Sequence, residues 1–157
     1  MADSDDEDII AAAFLHDTIE DTDYTFEELQ EDFGGPVRDI VAGVTEPQTE
    51  ASGDKVSWLR GKDAYLKQLK NAPDGSLIVS AADKIHNMRS IVEEYFDDHS
   101  RFLADFGGKL EDRVNAYQSI ANVLNRRLEN EILTEFNRVF DDYKAFIADV
   151  QHSQTLD

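Results

Sequence analysis

The chain has 157 residues, 41% of them hydrophobic and 31% charged, which suits one domain with a real core rather than a disordered chain. No run of about 18 apolar residues is present, so no membrane span is expected, and the acidic start Met1-Ala2-Asp3-Ser4-Asp5-Asp6-Glu7-Asp8 is the opposite of a signal segment. With no cysteine and a formal net charge of −19, disulfides, thiolate chemistry and nucleic acid as a general partner are excluded, and a cytoplasmic setting is expected.

Helical periodicity runs through the sequence and no strand pattern does, so an all-α bundle is predicted. Its divisions are an acidic segment over 1–8, one helical domain over 9–150 and a polar tail over 151–157. The stretch from Ile9 to Leu15 is apolar on nearly all sides and predicts a buried helix running into His16-Asp17. Asp23-Tyr24 is a turn, and Thr25 with Glu28 reads as a capping box opening a helix over Phe26–Phe33. Gly34-Gly35 ends that helix, Pro36 suits the first turn of the next, and Val37, Ile40, Val41 and Val44 form its inner face.

Glu46 to Asp54 reads as a polar surface loop. A helix is predicted over Lys55–Lys70, with Trp58, Tyr65, Leu66 and Leu69 inward, and Ala72-Pro73-Asp74-Gly75 breaks the chain after it. Leu77–Phe96 is a second long, mostly apolar helix carrying Asp83 and Asn87. Phe102–Gly108 is expected to be a loop or short turn, followed by helices over Leu110–Leu128 and Glu131–Val150. Leu128, Ile132, Phe136, Val139, Phe140, Tyr143 and Phe146 recur at helical spacing, either as a homo-oligomer face or as a stripe packed on the chain's own core.

The chemistry gathers at the polar edges of the two apolar helices. His16, Asp17, Glu20 and Asp21 place four titratable groups within about a turn and a half. Asp83, His86 and Asn87 share one turn of the second helix. Carboxylates at such edges call for a cation or basic side chains, and one imidazole with two carboxylates suits an ion such as Mn²⁺. Each residue also has a plainer role. His16 could be a hydrogen-bonded helix-end histidine, Asp17 a cap, and Glu20 and Asp21 solvated acids. Asp83 could pair with Asn87 one turn on, or with Lys84 or Arg89.

Residues 12–22 (AAFLHDTIEDT) resemble the HDxxED motif of the HD phosphohydrolases, and more narrowly the hydrolase domain of the RelA/SpoT alarmone enzymes and their small single-domain relatives. Residues 79–89 (VSAADKIHNMR) are similar to that family's second, LADKLHNMR-like helix. Gly43-Val44-Thr45, Trp58, Lys62 to Leu66 and Asn71-Ala72-Pro73 fit in order and spacing, so the resemblance runs from about Asp8 to about Ala121. It implies an HD-domain helical bundle with His16, Asp17 and Asp83 as ligands of Mn²⁺ or another divalent ion. Glu20 and Asp21 would orient and activate the attacking water. Lys62, Asn87, Tyr65 and Arg89 would lie near the substrate, and the implied reaction removes the 3′-pyrophosphate of guanosine tetra- or pentaphosphate.

The resemblance also implies an earlier histidine ligand in a THP-like segment, whereas no histidine precedes His16. The bundle is therefore expected to be N-terminally shortened, with three metal ligands and an open position. Three accounts stand: a fragment of a longer protein, a short form with a degraded site, or substitution by His99 or His152. Three functional classes stand beside them: an alarmone hydrolase, a hydrolase of another nucleotide or phosphate ester, and a non-catalytic binding or oligomerisation module.

Overall fold

The computed structural model describes residues 2–45, 55–106, 110–129 and 131–156, and every regular element among them is an α-helix, as expected of an all-α fold. In chain order these are α1 (Ala2–Leu15), α2 (Thr18–Asp21), α3 (Phe26–Phe33), α4 (Gly35–Val44), α5 (Lys55–Lys70), α6 (Asp74–Asp97), α7 (His99–Phe106), α8 (Leu110–Arg127) and α9 (Glu131–Leu156). The expected loop over Glu46–Asp54 lies outside the described residues, as does the side chain of Trp58. The chain divides into two compact units, Met1–Ser80 and Ala81–Asp157, and the division falls inside α6.

In the first unit α4 is the hub, packing against α1, α3 and α5. Its inner face, Val37, Ile40, Val41 and Val44, meets Ala12, Leu29 and Val79 in a core where Ile9, Ala11, Ala13, Leu15, Ile19, Tyr24 and Phe26 also pack. Each large side chain buried here stabilises the fold by about 1.5–3 kcal/mol. The α3 start follows its capping signal: the Thr25 hydroxyl accepts from the Glu28 N–H at 3.1 Å and donates to the Glu28 carboxylate at 3.2 Å. Gly34 carries the turn from α3 to α4 at φ +95°, a conformation that glycine adopts without strain.

Two expectations are corrected. The apolar helix before His16 buries only part of its girth: Ile10 is 56% exposed and Phe14, one turn on, 84%. Packing from α4 takes the Ile9, Ala12 and Ala13 side, and an apolar sequence does not ensure a second neighbour. The same helix begins at Ala2 rather than at the expected Ile9.

In the second unit α8 packs against α9. Tyr117, Ile120, Ala121, Val123 and Leu124 of α8 are buried, as are Leu128 and, on α9, Phe136, Val139, Phe140, Tyr143, Ile147 and Val150. Most of the predicted apolar stripe is thus used inside the chain. α9 also runs on to Leu156, past the expected end at Val150. The expected loop over Phe102–Gly108 is in its first part the helix α7. The Asp98 carboxylate accepts from the Arg101 N–H at 3.0 Å at its start, and the fully buried Phe102 stacks edge-on against Tyr95.

Candidate functional site

The junction of α1 and α2 determines how His16 and Asp17 are presented. His16 Nδ1 lies 2.6 Å from the Ala13 carbonyl oxygen. A carbonyl only accepts, so Nδ1 carries the proton, and this bond satisfies one of the carbonyls left open at the end of α1. His16 is therefore the helix-end histidine that its plainer reading described, but only through one nitrogen. Nε2 stands 3.3 Å from Oδ1 of Asp17. Asp17 occupies the N-cap position of α2, yet its carboxylate makes no capping hydrogen bond. Its plainer reading as a cap fails, and the side chain turns to the imidazole instead.

An imidazole lone pair facing a carboxylate oxygen needs a proton or a cation between them. Two donors on one ion with bonds of about 2.1 Å stand about 2.9–3.4 Å apart, depending on coordination geometry. The 3.3 Å spacing of the His16–Asp17 pair suits two donors of one divalent ion, and equally an imidazolium–carboxylate ion pair. The Nδ1–H bond to a backbone carbonyl is the kind of outer contact that fixes the tautomer of a ligating histidine.

Glu20 and Asp21 follow on α2, where Ile19 packs into the core. Asp21 is exposed, and the Glu20 side chain lies outside what the structure describes. On α5, Lys62 is half-buried. Tyr65, one turn on, is buried, and its hydroxyl lies 2.8 Å from that of Ser80.

In the second unit Asp83 Oδ2 meets Lys84 Nζ at 3.1 Å and accepts from Asn87 Nδ2 at 3.4 Å. Both ion-pair partners are largely covered, with side-chain exposures of 23% for Asp83 and 14% for Lys84. Asn87 borders a cleft of about 370 Å³ together with Ser90, Ile91, Glu94, Arg113 and Tyr117. Burial pushes the Tyr117 hydroxyl above its ordinary pKa; the charges of Lys84 and Arg113 act against that rise, and Asp83 adds to it. Asp83, Lys84, Arg113 and Tyr117 thus share one electrostatic neighbourhood. Arg89 does not join it: it pairs with Glu135 at 2.8 Å and lines a separate groove of about 410 Å³ with Val92, Arg138 and Phe146.

Sequence reasoning missed Arg113 and Tyr117. Tyr117 falls on the apolar face of α8 and reads there as core, and only the packing of α8 brings it beside the cleft. Among the described residues no three His, Asp or Glu side chains gather to hold a metal. His99 stacks on Tyr95 at 4.6 Å, and His152 is exposed late in α9.

The family model of the HD domain matches residues 2–105. The chain belongs to the HD domain family. This HD domain is 35% identical over 118 residues to guanosine-3′,5′-bis(diphosphate) 3′-pyrophosphohydrolase MESH1 of Danio rerio, covering 66% of this chain and 61% of that protein. To the Homo sapiens protein of the same name it is 34% identical over 101 residues, 57% of this chain and 53% of that one. The guanosine-3′,5′-bis(diphosphate) 3′-pyrophosphohydrolase of Haemophilus influenzae is 34% identical over 92 residues, 55% of this chain and 13% of its own length. The chain thus spans 53–61% of the length of these MESH1 relatives. HD phosphohydrolases are metal-dependent, which supports a divalent metal ion for this domain. No described helix is long and apolar enough to cross a membrane.

Proposed function

We propose that this HD domain is a Mn²⁺-dependent phosphohydrolase that removes the 3′-pyrophosphate from guanosine 3′,5′-bis(diphosphate), in a cytoplasmic setting. The observation that carries the reading is the His16–Asp17 pair, with Nδ1 committed to Ala13 and Nε2 facing a carboxylate that does not cap α2. His16 and Asp17 would hold the ion, which when bound supplies Lewis acidity toward a phosphate oxygen; the likeness of residues 79–89 to the family's second motif is what adds Asp83 to the reading. Glu20 and Asp21, on the short helix after the pair, orient the attacking water and accept its proton. Asn87, Arg113 and Tyr117 offer donors to a phosphate or nucleotide in the cleft they line. Lys62 and Lys84 offset a net charge of −19 that would otherwise repel so anionic a substrate.

The names of the MESH1 relatives support the choice of substrate, and other nucleotides and phosphate esters form the comparison panel. Incubating the purified chain with guanosine tetraphosphate and Mn²⁺ should release pyrophosphate. Release no greater than from an Asp83→Ala variant would refute the reading. The Asp83–Lys84 ion pair favours one alternative, a domain that binds a nucleotide without turning it over. Saturable nucleotide binding with no product would select that alternative.

A further inference from the structure

Within the second unit, Tyr117 lines the cleft that Asn87 and Arg113 border, and its hydroxyl accepts a hydrogen bond from the Arg113 side chain. The O–H itself is still able to donate to a ligand. Only 7% of Tyr117 is exposed, so what it offers the cleft depends on how the ring is turned. A tyrosine turns about two side-chain bonds, and a swing about the first carries the distant hydroxyl furthest.

The Tyr117 ring meets the ring of Tyr143, on α9, with centroids 5.4 Å apart and an interplanar angle of 90°. Edge-to-face contact is a preferred arrangement of two aromatic rings, and it is lost if either one tilts away. Tyr143 is itself 1% exposed, and Val139 and Ile147, one turn before and after it on α9, are buried too. It is a packed wall against which the Tyr117 ring rests. The Tyr143 hydroxyl has no hydrogen-bond partner among the described residues. Burial pushes that phenol well above its usual range; Tyr117 adds to the rise and the positive charge of Arg113 opposes it. A buried hydroxyl without a partner costs stability, so what Tyr143 contributes comes from its ring.

We propose that Tyr143 is a positioning residue: its ring holds the Tyr117 ring edge-on and so sets where the Tyr117 hydroxyl, with the Arg113 side chain bonded to it, stands in the cleft. Tyr143 is not among the residues lining the cleft and acts without touching the ligand. This role rests on the proposed reading of the cleft as the place where the nucleotide binds.

Binding of guanosine tetraphosphate is measured by titration calorimetry in EDTA, which stops metal-dependent turnover, with thermal midpoints alongside. Tyr143→Leu and Tyr143→Met remove the ring and keep an apolar side chain. Each should bind the nucleotide about fivefold more weakly, within what an edge-to-face pair contributes. Tyr143→Phe keeps the ring and should keep wild-type affinity, at a midpoint no lower than that of wild type. In a Tyr117→Phe background, which lacks the hydroxyl being placed, Tyr143→Leu should weaken binding little further. Phe136→Leu removes a fully buried ring of the same helix, outside the lining of the cleft, and controls for general loss of packing. Affinity unchanged in both ring-removing variants, or lowered as much in Phe136→Leu or Tyr143→Phe, overturns the inference and leaves the reading of the cleft intact. So does full additivity of Tyr143→Leu with Tyr117→Phe. Wild type that binds no nucleotide, or binds it no better than Tyr117→Phe, removes the reading of the cleft, and the inference with it.

Discussion

Replacing Gly43 with alanine puts a methyl group into space that the fold has already filled. A Cβ there would stand 2.8 Å from both the Ala72 and the Ser76 Cβ atoms, and neither is the far end of a flexible side chain. Carbon atoms in contact sit about 3.5–4.0 Å apart, so the start of α6 must draw back from α4 by roughly half an ångström or more. Drawing back stretches the buried Ser76–Ile40 hydrogen bond, 2.8 Å long. Overpacking costs about 1–3 kcal/mol and the weakened bond about 1 kcal/mol more, while alanine's better helix propensity returns about 1 kcal/mol. The net loss is about 1–3 kcal/mol, or roughly 3–10 °C in the thermal midpoint of a chain of this size. Gly35→Ala is the control, because nothing stands within 4 Å of a Cβ at that position. Thermal unfolding followed by far-ultraviolet circular dichroism reads both. A Gly43→Ala midpoint equal to that of Gly35→Ala would refute the packing argument.

The exposed side of α1 makes an unusual claim about a phenylalanine. Phe14→Ser should change stability by no more than about 0.5 kcal/mol, whereas Leu29→Ala in the core should cost about 2–5 kcal/mol in urea unfolding. Equal costs would mean that Phe14 is covered in solution. Tyr24 donates to the Asp32 carboxylate, and that bond, with the acidic charges around it, pushes the phenol up to about 12. A raised folded value favours the neutral form. The resulting stability is fully present below the ordinary value of about 10 and is lost as pH rises through about 12. Ultraviolet titration of Asp32→Ala should therefore show one phenol ionising earlier than in wild type, and superimposable curves would contradict the assignment.

What the sequence made legible was local. The bounds of Phe26–Phe33 and Lys55–Lys70 followed from a capping threonine, a glycine stop and helical period, all of which act within a few residues. The two motif helices were readable as helices, because an apolar run ending in acids is visible without knowing its neighbours, but the start of the first at Ala2 was not. What failed depended on the fold. Whether Ile10 and Phe14 are covered depends on which helices pack on α1, and the arrival of Arg113 and Tyr117 beside the cleft depends on where α8 docks. Arg89 illustrates the same limit: two residues after Asn87, it faces Glu135 and another groove. The start of α7 was a different kind of miss, since the Asp98 cap was present in the sequence and passed unread.

The two nitrogens of His16 have a consequence for reading variants. One satisfies a carbonyl at the end of α1, and the other faces Asp17. Any substitution at this position frays the end of a helix and removes a donor together, so lost activity there would mix two causes. Asp17→Asn, on a side chain with no capping duty, is the cleaner knockout. The coupling also runs the other way. Whatever engages Nε2 steadies the last turn of α1, so bound metal should slow hydrogen–deuterium exchange at the backbone amides of that turn.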